Sequence, residues 1–259
     1  MRSVSLNGLG CPLPYLIAAA VCTVLESVPF IDQLAQAPFF PDGHWLLSRD
    51  FHKTYKLWLY TGPKICIAAT GVAFLGVCLA ALFSRKHRAK LDNWLTPSLV
   101  VVWSIILVPL SVAAIKAATG VYSPVDLIPY GGKHPHIGFL AQMWLHGRAA
   151  GGASFPAGHA SGGFALMALY SLPVRRWARR SLFCVGMLAG WGMGLYQMAR
   201  GEHFLTHTLT AMFMALAIIA FLGRKMPIWV MAVKGTKAYL WVLALLSRSS
   251  SPSIRASGF

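Results

Sequence analysis

Three of the nine histidines in this 259-residue chain stand where an apolar run meets a polar edge. Phe155 to Gly163 reads Phe-Pro-Ala-Gly-His-Ala-Ser-Gly-Gly, and Arg200 to His207 reads Arg-Gly-Glu-His-Phe-Leu-Thr-His. Lys116 closes a third apolar run. Histidine, lysine and arginine are costly in lipid unless they face a wet cavity or a ligand, so they mark a functional site by default. Three such places at the ends of different segments read most simply as one polar pocket. It would hold His159, His203 and His207 together with the fixed cations Lys116 and Arg200. That set suits gripping a phosphate and breaking its ester.

If a helix begins near Arg200, spacings of three and four residues put Arg200, His203 and His207 on one face. The spacing His-x-x-x-His could also serve a metal. Glu202 lies outside that interval, so the His-Glu-x-x-His signature is missing, and no two histidines are adjacent as a di-iron enzyme would need. A hydrogen-bonded interfacial histidine pair is the plainer alternative. No metal and no cofactor is expected. Ahead of His159, Pro156 sets a turn, and Gly158 lets backbone approach a ligand. The residues that follow can open a helix whose free amides bind an anion. Gly158 and Gly162 would also suit a packing surface, which leaves the histidine unexplained. Lys116 alone reads as a snorkelling side chain.

The elements that must position these groups are membrane helices. The chain is 56% apolar and 12% charged, the composition of an integral membrane protein. A span needs roughly 20 mostly apolar residues. Six segments qualify or nearly do, at about 11–29, 63–83, 97–115, 159–173, 181–198 and 205–222. Trp229 to Leu246, broken by Lys234 and Lys237, reads as an interfacial amphipathic helix, with a seventh span as the alternative. The expected fold is an all-α six-transmembrane-helix bundle, one domain over 1–246, with a polar disordered tail at 247–259.

A net charge of +16 would suggest nucleic acid in a soluble protein. Here no nucleic-acid partner is expected, because the positive-inside rule accounts for the basic clusters. Arg85 to Lys90, Arg175 to Arg180, and Arg224 with Lys225 follow spans two, four and six. They therefore share the cytoplasmic side with the N-terminus and Arg2, and the motif residues fall on the other. The aromatic segment Ile31 to Gly62 is expected along the outer surface, and the Pro/Gly-rich Ala117 to Ser154 as an ordered loop over the pocket. Gly186, Gly190 and Gly194 allow close helix approach. The five cysteines read as small core side chains without a disulfide framework.

In order, these motifs resemble those of the type 2 phosphatidic acid phosphatase (PAP2) superfamily of membrane lipid phosphatases. That family carries Lys-x6-Arg-Pro, then Pro-Ser-Gly-His, then Ser-Arg-x5-His-x3-Asp. This chain has Lys116 six residues before Ser123-Pro124, then Pro156-Ala157-Gly158-His159, then His203-x3-His207, within Lys116 to Ala211. The resemblance implies that His203 takes the phosphoryl group and His159 protonates the leaving oxygen. Lys116, Arg200 and the Gly158 amide region would hold the phosphate, without a metal. The chain departs from the pattern at four positions. Ser123 replaces an arginine, with Arg148 a candidate substitute. Ala157 replaces serine. Gln197 stands at the third-motif arginine, one turn from Arg200. His207 replaces the aspartate that orients the nucleophile, with Glu202 as the fallback for that role.

The implied activity is hydrolysis of lipid phosphate monoesters or pyrophosphates, with lipid A, polyprenyl pyrophosphate and phospholipids as candidate substrates. The implied setting is a bacterial-type inner membrane with the site on the periplasmic side. A phosphotransferase using the same histidines, or a non-catalytic lipid-binding pseudophosphatase, remain the alternatives.

Overall fold

The computed structural model describes residues 9–145 and 152–236. Arg2, Arg148, the tail and the second half of the expected C-terminal amphipathic stretch lie outside them. Helix α1 (Leu13–Glu26) stops just before Pro29, which pushes Val28 into extended backbone. Helix α2 (Pro29–Gln36) then leaves at 87°. After the aromatic segment, Ser48 caps α3 (Arg49–Lys56) by accepting from the Phe51 amide at 3.1 Å. A π-helical turn, Leu57–Thr61, joins it to α4 (Gly62–Phe83). Pro63 has no N–H to continue the regular ladder, so the extra residue is accommodated there. Helix α5 (Arg85–Thr119) runs through Pro97 and Pro109 and ends at Gly120, whose φ of +66° suits glycine.

Within the expected loop lies a short helix, α6 (Phe139–Leu145). Helix α7 (Gly158–Ala165) continues as a 3-10 segment, Leu166–Ser171, and is followed by α8 (Arg176–Ala199) and α9 (Leu205–Lys234). The described residues contain no β-strand, only an isolated bridge between Leu127 and His134. The protein is all-α, as its composition predicts.

Four helices are long and apolar enough to cross a membrane, or five if the bent α1–α2 pair counts as one span. The expectation of six full spans is corrected at the fourth. Its eight α-helical and six 3-10 residues reach about 24 Å, short of the roughly 30 Å of hydrocarbon. This element is the centre of the bundle: Ala160, Phe164, Met167 and Ala168 have no exposed surface. A second correction concerns the C-terminal side. Helix α9 passes unbroken through Pro227 to Lys234, so Trp229 opens no separate helix. Lys234 meets Asp92 of α5, and Val230 packs beside Leu95.

Glycine makes the central packing possible. A Cβ at Gly163 would lie 2.5 Å from the Gly190 nitrogen, and one at Gly186 would lie 2.3 Å from the Met167 nitrogen. The backbones of α7 and α8 therefore touch. A Cβ at Gly194 would lie 2.5 Å from Thr208 of α9. These contacts fix the helices that carry the motifs.

Arg88, Arg175 to Arg180 and Arg224 gather at the end of the bundle opposite the motif residues. At one end Arg179 donates to the Tyr170 carbonyl and Arg88 to that of Leu82. The other end is roofed by the segment after α1. Gln36 donates to the Met198 carbonyl at 2.8 Å and the Leu47 amide to that of Ala199 at 3.0 Å. Asp32 accepts from the Thr206 amide at 3.0 Å and from its hydroxyl at 2.5 Å, capping α9 from another helix.

Candidate active site

Helix α7 supplies His159 one residue after its start, and no side chain caps that start. Its first amides therefore face the site unoccupied by protein side chains. Lys116, from the last turn of α5, places its ammonium 3.7 Å from where a Gly158 Cβ would be. A cation and a helix N-terminus converge on one spot, a combination that favours an anion.

Arg200 and His203 lie in the turn between α8 and α9, with only His207 inside α9. The expected continuous helical face is thus interrupted. Gly201 makes the turn: its φ is +73°, and a Cβ there would come within 2.4 Å of the Trp45 ring.

Two hydrogen-bond chains set the protonation of the two imidazoles that line the site. Arg200 can only donate, and its Nη1 donates to Gln197 Oε1 at 2.7 Å. The Gln197 amide must then turn its Nε2 toward His159, where it donates to Nδ1 at 2.9 Å. His159 consequently carries its proton on Nε2, a buried atom with no protein partner. In the second chain, Ser154 donates to the Glu202 carbonyl at 2.6 Å. Having spent its one proton, the Ser154 oxygen accepts from His203 Nδ1 at 3.1 Å and from His207 Nδ1 at 3.3 Å. His203 is left with a bare Nε2, which makes no hydrogen bond among the described residues. Burial, with the neighbouring His207 and Lys116, holds the His203 imidazole well below its usual range. Its lone pair is therefore free at neutral pH.

His203 and His207 do not meet directly, although four-residue spacing suggests that they would. Their ring centroids are 5.8 Å apart and Ser154 stands between them. The Glu202 side chain pairs with Arg200 Nη2 at 3.0 Å, so it orients neither histidine. Ala157 is buried and gives its amide to the His207 carbonyl at 3.1 Å. Ser123 caps a 3-10 turn through its carbonyl.

Several site residues escaped the sequence. The positive charges of Lys64, Lys116 and Arg200 all act on His159. Lys64 lies 4.2 Å above the Tyr60 ring, and Tyr60 packs against His159 at a tilt of 47° with centroids 4.2 Å apart. The Pro63 irregularity brings this corner of α4 to the site, and one lysine among 23 basic residues gave no signal of it. Glu26 and Asp32, buried at the same end, could have been flagged. They are two of only seven acidic residues, and they border an apolar run.

A polar cavity of about 460 Å³ opens beside Arg200 between His44, His52 and Lys53. An apolar groove of about 330 Å³ runs between α4 and α8, lined by Trp58, Ile67, Leu188 and Tyr196. They adjoin at a 2.6 Å hydrogen bond between His52 and Tyr196. Among the described residues, no three histidine, cysteine, aspartate or glutamate side chains converge as metal ligands.

The family model of the PAP2 superfamily matches residues 97–231, just over half of the chain. The chain belongs to the PAP2 superfamily. PAP2 membership carries phosphatase-type activity, a membrane setting and a phosphorylated lipid as the class of substrate. The PAP2 match includes Lys116, His159, Arg200, His203 and His207 but stops short of Glu26, Asp32, His52 and Lys64. No match is found among curated proteins or among solved structures.

Proposed function

We propose that this PAP2 protein cleaves phosphate monoesters or pyrophosphates of membrane lipids through a phosphohistidine on His203. The observation that carries the reading is the opposite wiring of the two imidazoles. His203 offers a bare Nε2 and His159 offers an Nε2–H, each fixed by a bond to Nδ1. The phosphate would sit at the α7 N-terminus against Lys116 and Gly158. Lys64 would supply the charge missing at Ser123. Arg200 spends two nitrogens on Gln197 and Glu202, so it steadies His159 as well as adding positive field.

His203 Nε2 attacks phosphorus, and the phosphorus–oxygen bond to the lipid breaks with its electron pair on the departing oxygen. His159 gives that oxygen the Nε2 proton. Water then attacks phosphorus, the nitrogen–phosphorus pair returns to His203, and the water's proton restores His159. This is nucleophilic catalysis with fixed cations and amides stabilising the transferring group. His207 supports His203 through Ser154. The polar cavity and apolar groove, joined at His52 and Tyr196, suit an amphiphile's headgroup and chain.

We read the bundle as having its site outside the cytoplasm, since the basic clusters lie at the far end. The test uses purified protein in detergent with phosphatidate, polyprenyl pyrophosphate and lipid A in parallel, each with and without an acceptor lipid. Acid-labile label on His203 should appear with labelled substrate, persist in excess chelator, and vanish in His203→Ala and with vanadate. Phosphate release by His203→Ala at the wild-type rate would defeat the reading.

A further inference from the structure

Two buried atoms at the back of the site face each other without partners. His207 Nε2 and Glu26 Oε1 are 4.0 Å apart on side chains with no exposed surface, and neither makes a hydrogen bond. Movement of about 1 Å would bring them into hydrogen-bond range. Glu26 ends α1, and its second oxygen accepts from the Phe139 amide at the start of α6, so the carboxyl group is anchored. A buried carboxylate oxygen beside a buried imidazole nitrogen, both unpaired, is costly unless the two share a proton.

We propose that Glu26 is a positioning residue for the nucleophile, acting on His203 through His207 and Ser154. The inference rests on the phosphatase reading for its purpose but on the geometry alone for its wiring. A proton shared between Glu26 Oε1 and His207 Nε2 keeps the other ring proton on Nδ1, which donates to Ser154. The Ser154 oxygen then has one acceptor site left, filled by His203 Nδ1–H, and its own proton goes to the Glu202 carbonyl. Reverse the His207 ring, and Ser154 gains an acceptor for its proton in place of a donor. The Ser154 proton can then leave the Glu202 carbonyl for His207, and the hydroxyl that holds His203 Nδ1–H loses its fixed direction, so the bare Nε2 is no longer held in line with phosphorus. Glu26 thus decides how firmly a ring two side chains away is aimed. Phe155 and Phe204 pack edge-on against His207 at 5.2 and 5.4 Å, so the ring has little room to escape this control.

The test compares Glu26→Met, Glu26→Gln and a double-variant cycle with His207→Phe, which keeps the ring packing without nitrogens. A glutamine can still accept from Phe139 and donate to His207 Nε2, so Glu26→Gln should stay within about threefold of wild-type kcat. Glu26→Met should lose at least about tenfold in kcat with little change in KM, since a misplacement of about 1 Å can cost about 10²-fold. In the His207→Phe background Glu26→Met should cost no further activity. A loss that persists there belongs to the Phe139 anchor and overturns the proposal, as does full kcat in Glu26→Met alone. Nitrogen-15 spectra of histidine-labelled protein give a readout without substrate. Wild type should show His207 protonated on Nδ1 and His203 with a bare Nε2, and Glu26→Met should show mixed tautomers at His207. Unchanged spectra overturn the wiring even in an active enzyme. A wild type with the expected spectra and no phosphohistidine would instead defeat the phosphatase reading.

Discussion

Gln197 stands where the family pattern has an arginine, and it carries no charge to hold a phosphate. Its amide instead transmits the orientation of Arg200 to His159. Gln197→Met, close in size but unable to make either bond, should lower turnover of a lipid monoester by about 10²-fold, the range of general acid catalysis. An aryl phosphate, whose departing oxygen needs no proton, should be affected far less. Parallel kcat measurements on the two substrates check this, and equal losses on both would remove the proton-donor role. His159, His203, Lys116 and Arg200 were legible in the sequence because lipid makes charge expensive, whereas Lys64 was lost among the other basic residues. Ser154 was not legible, and Gln197 showed only as a departure from the family pattern. Neutral polar side chains carry no such signal, and their partners lie 49 and 38 residues away. His203 and His207 stay apart for a related reason: spacing of four assumes a helix, and α9 begins only after Phe204, whose ψ of 170° is extended.

Helix packing around α7 is set by the absence of side chains. Even one methyl at Gly163 would press on the α8 backbone, which cannot rotate away. Gly163→Ala should destabilise the protein by about 1–3 kcal/mol and reduce activity, because parting α7 from α8 pulls His159 from Gln197. Gly192, on α8 with nothing within 4 Å of its would-be Cβ, is the control. Gly192→Ala should leave the thermal midpoint nearly unchanged or raise it slightly. Thermal unfolding in a fixed detergent distinguishes them, and equal midpoints would show that the contact can yield. Long apolar runs located α4, α5, α8 and α9 in the sequence. The shortness of the fourth element was hidden, since hydropathy reports apolar content and not whether neighbours or lipid surround it. The join of α9 to the Trp229 stretch was likewise masked by Arg224, Lys225 and Pro227. Helical hydrogen bonding tolerates these residues where the flanking turns pack against α5.

If the basic clusters far from the motif residues face the cytoplasm, as the positive-inside rule expects, thiol labelling reads the orientation. In a background with the native cysteines replaced by alanine, Pro135→Cys should react with an impermeant thiol reagent from outside the cell. His87→Cys should react only after the membrane is opened. Equal labelling of both in intact cells would overturn the orientation. The bundle also pairs α1 with α9, the first described helix with the last, and beside them Asp32 of α2 accepts from Thr206, 174 positions later, in the first turn of α9. A ribosome adding about 5–20 residues per second leaves roughly ten to thirty seconds between the emergence of Asp32 and that of its partner. Through that interval Glu26 and Asp32 are acids without their final ligands, and the reactive histidines do not yet share a chamber. On the proposed reading the site assembles only when translation delivers α9 to α1.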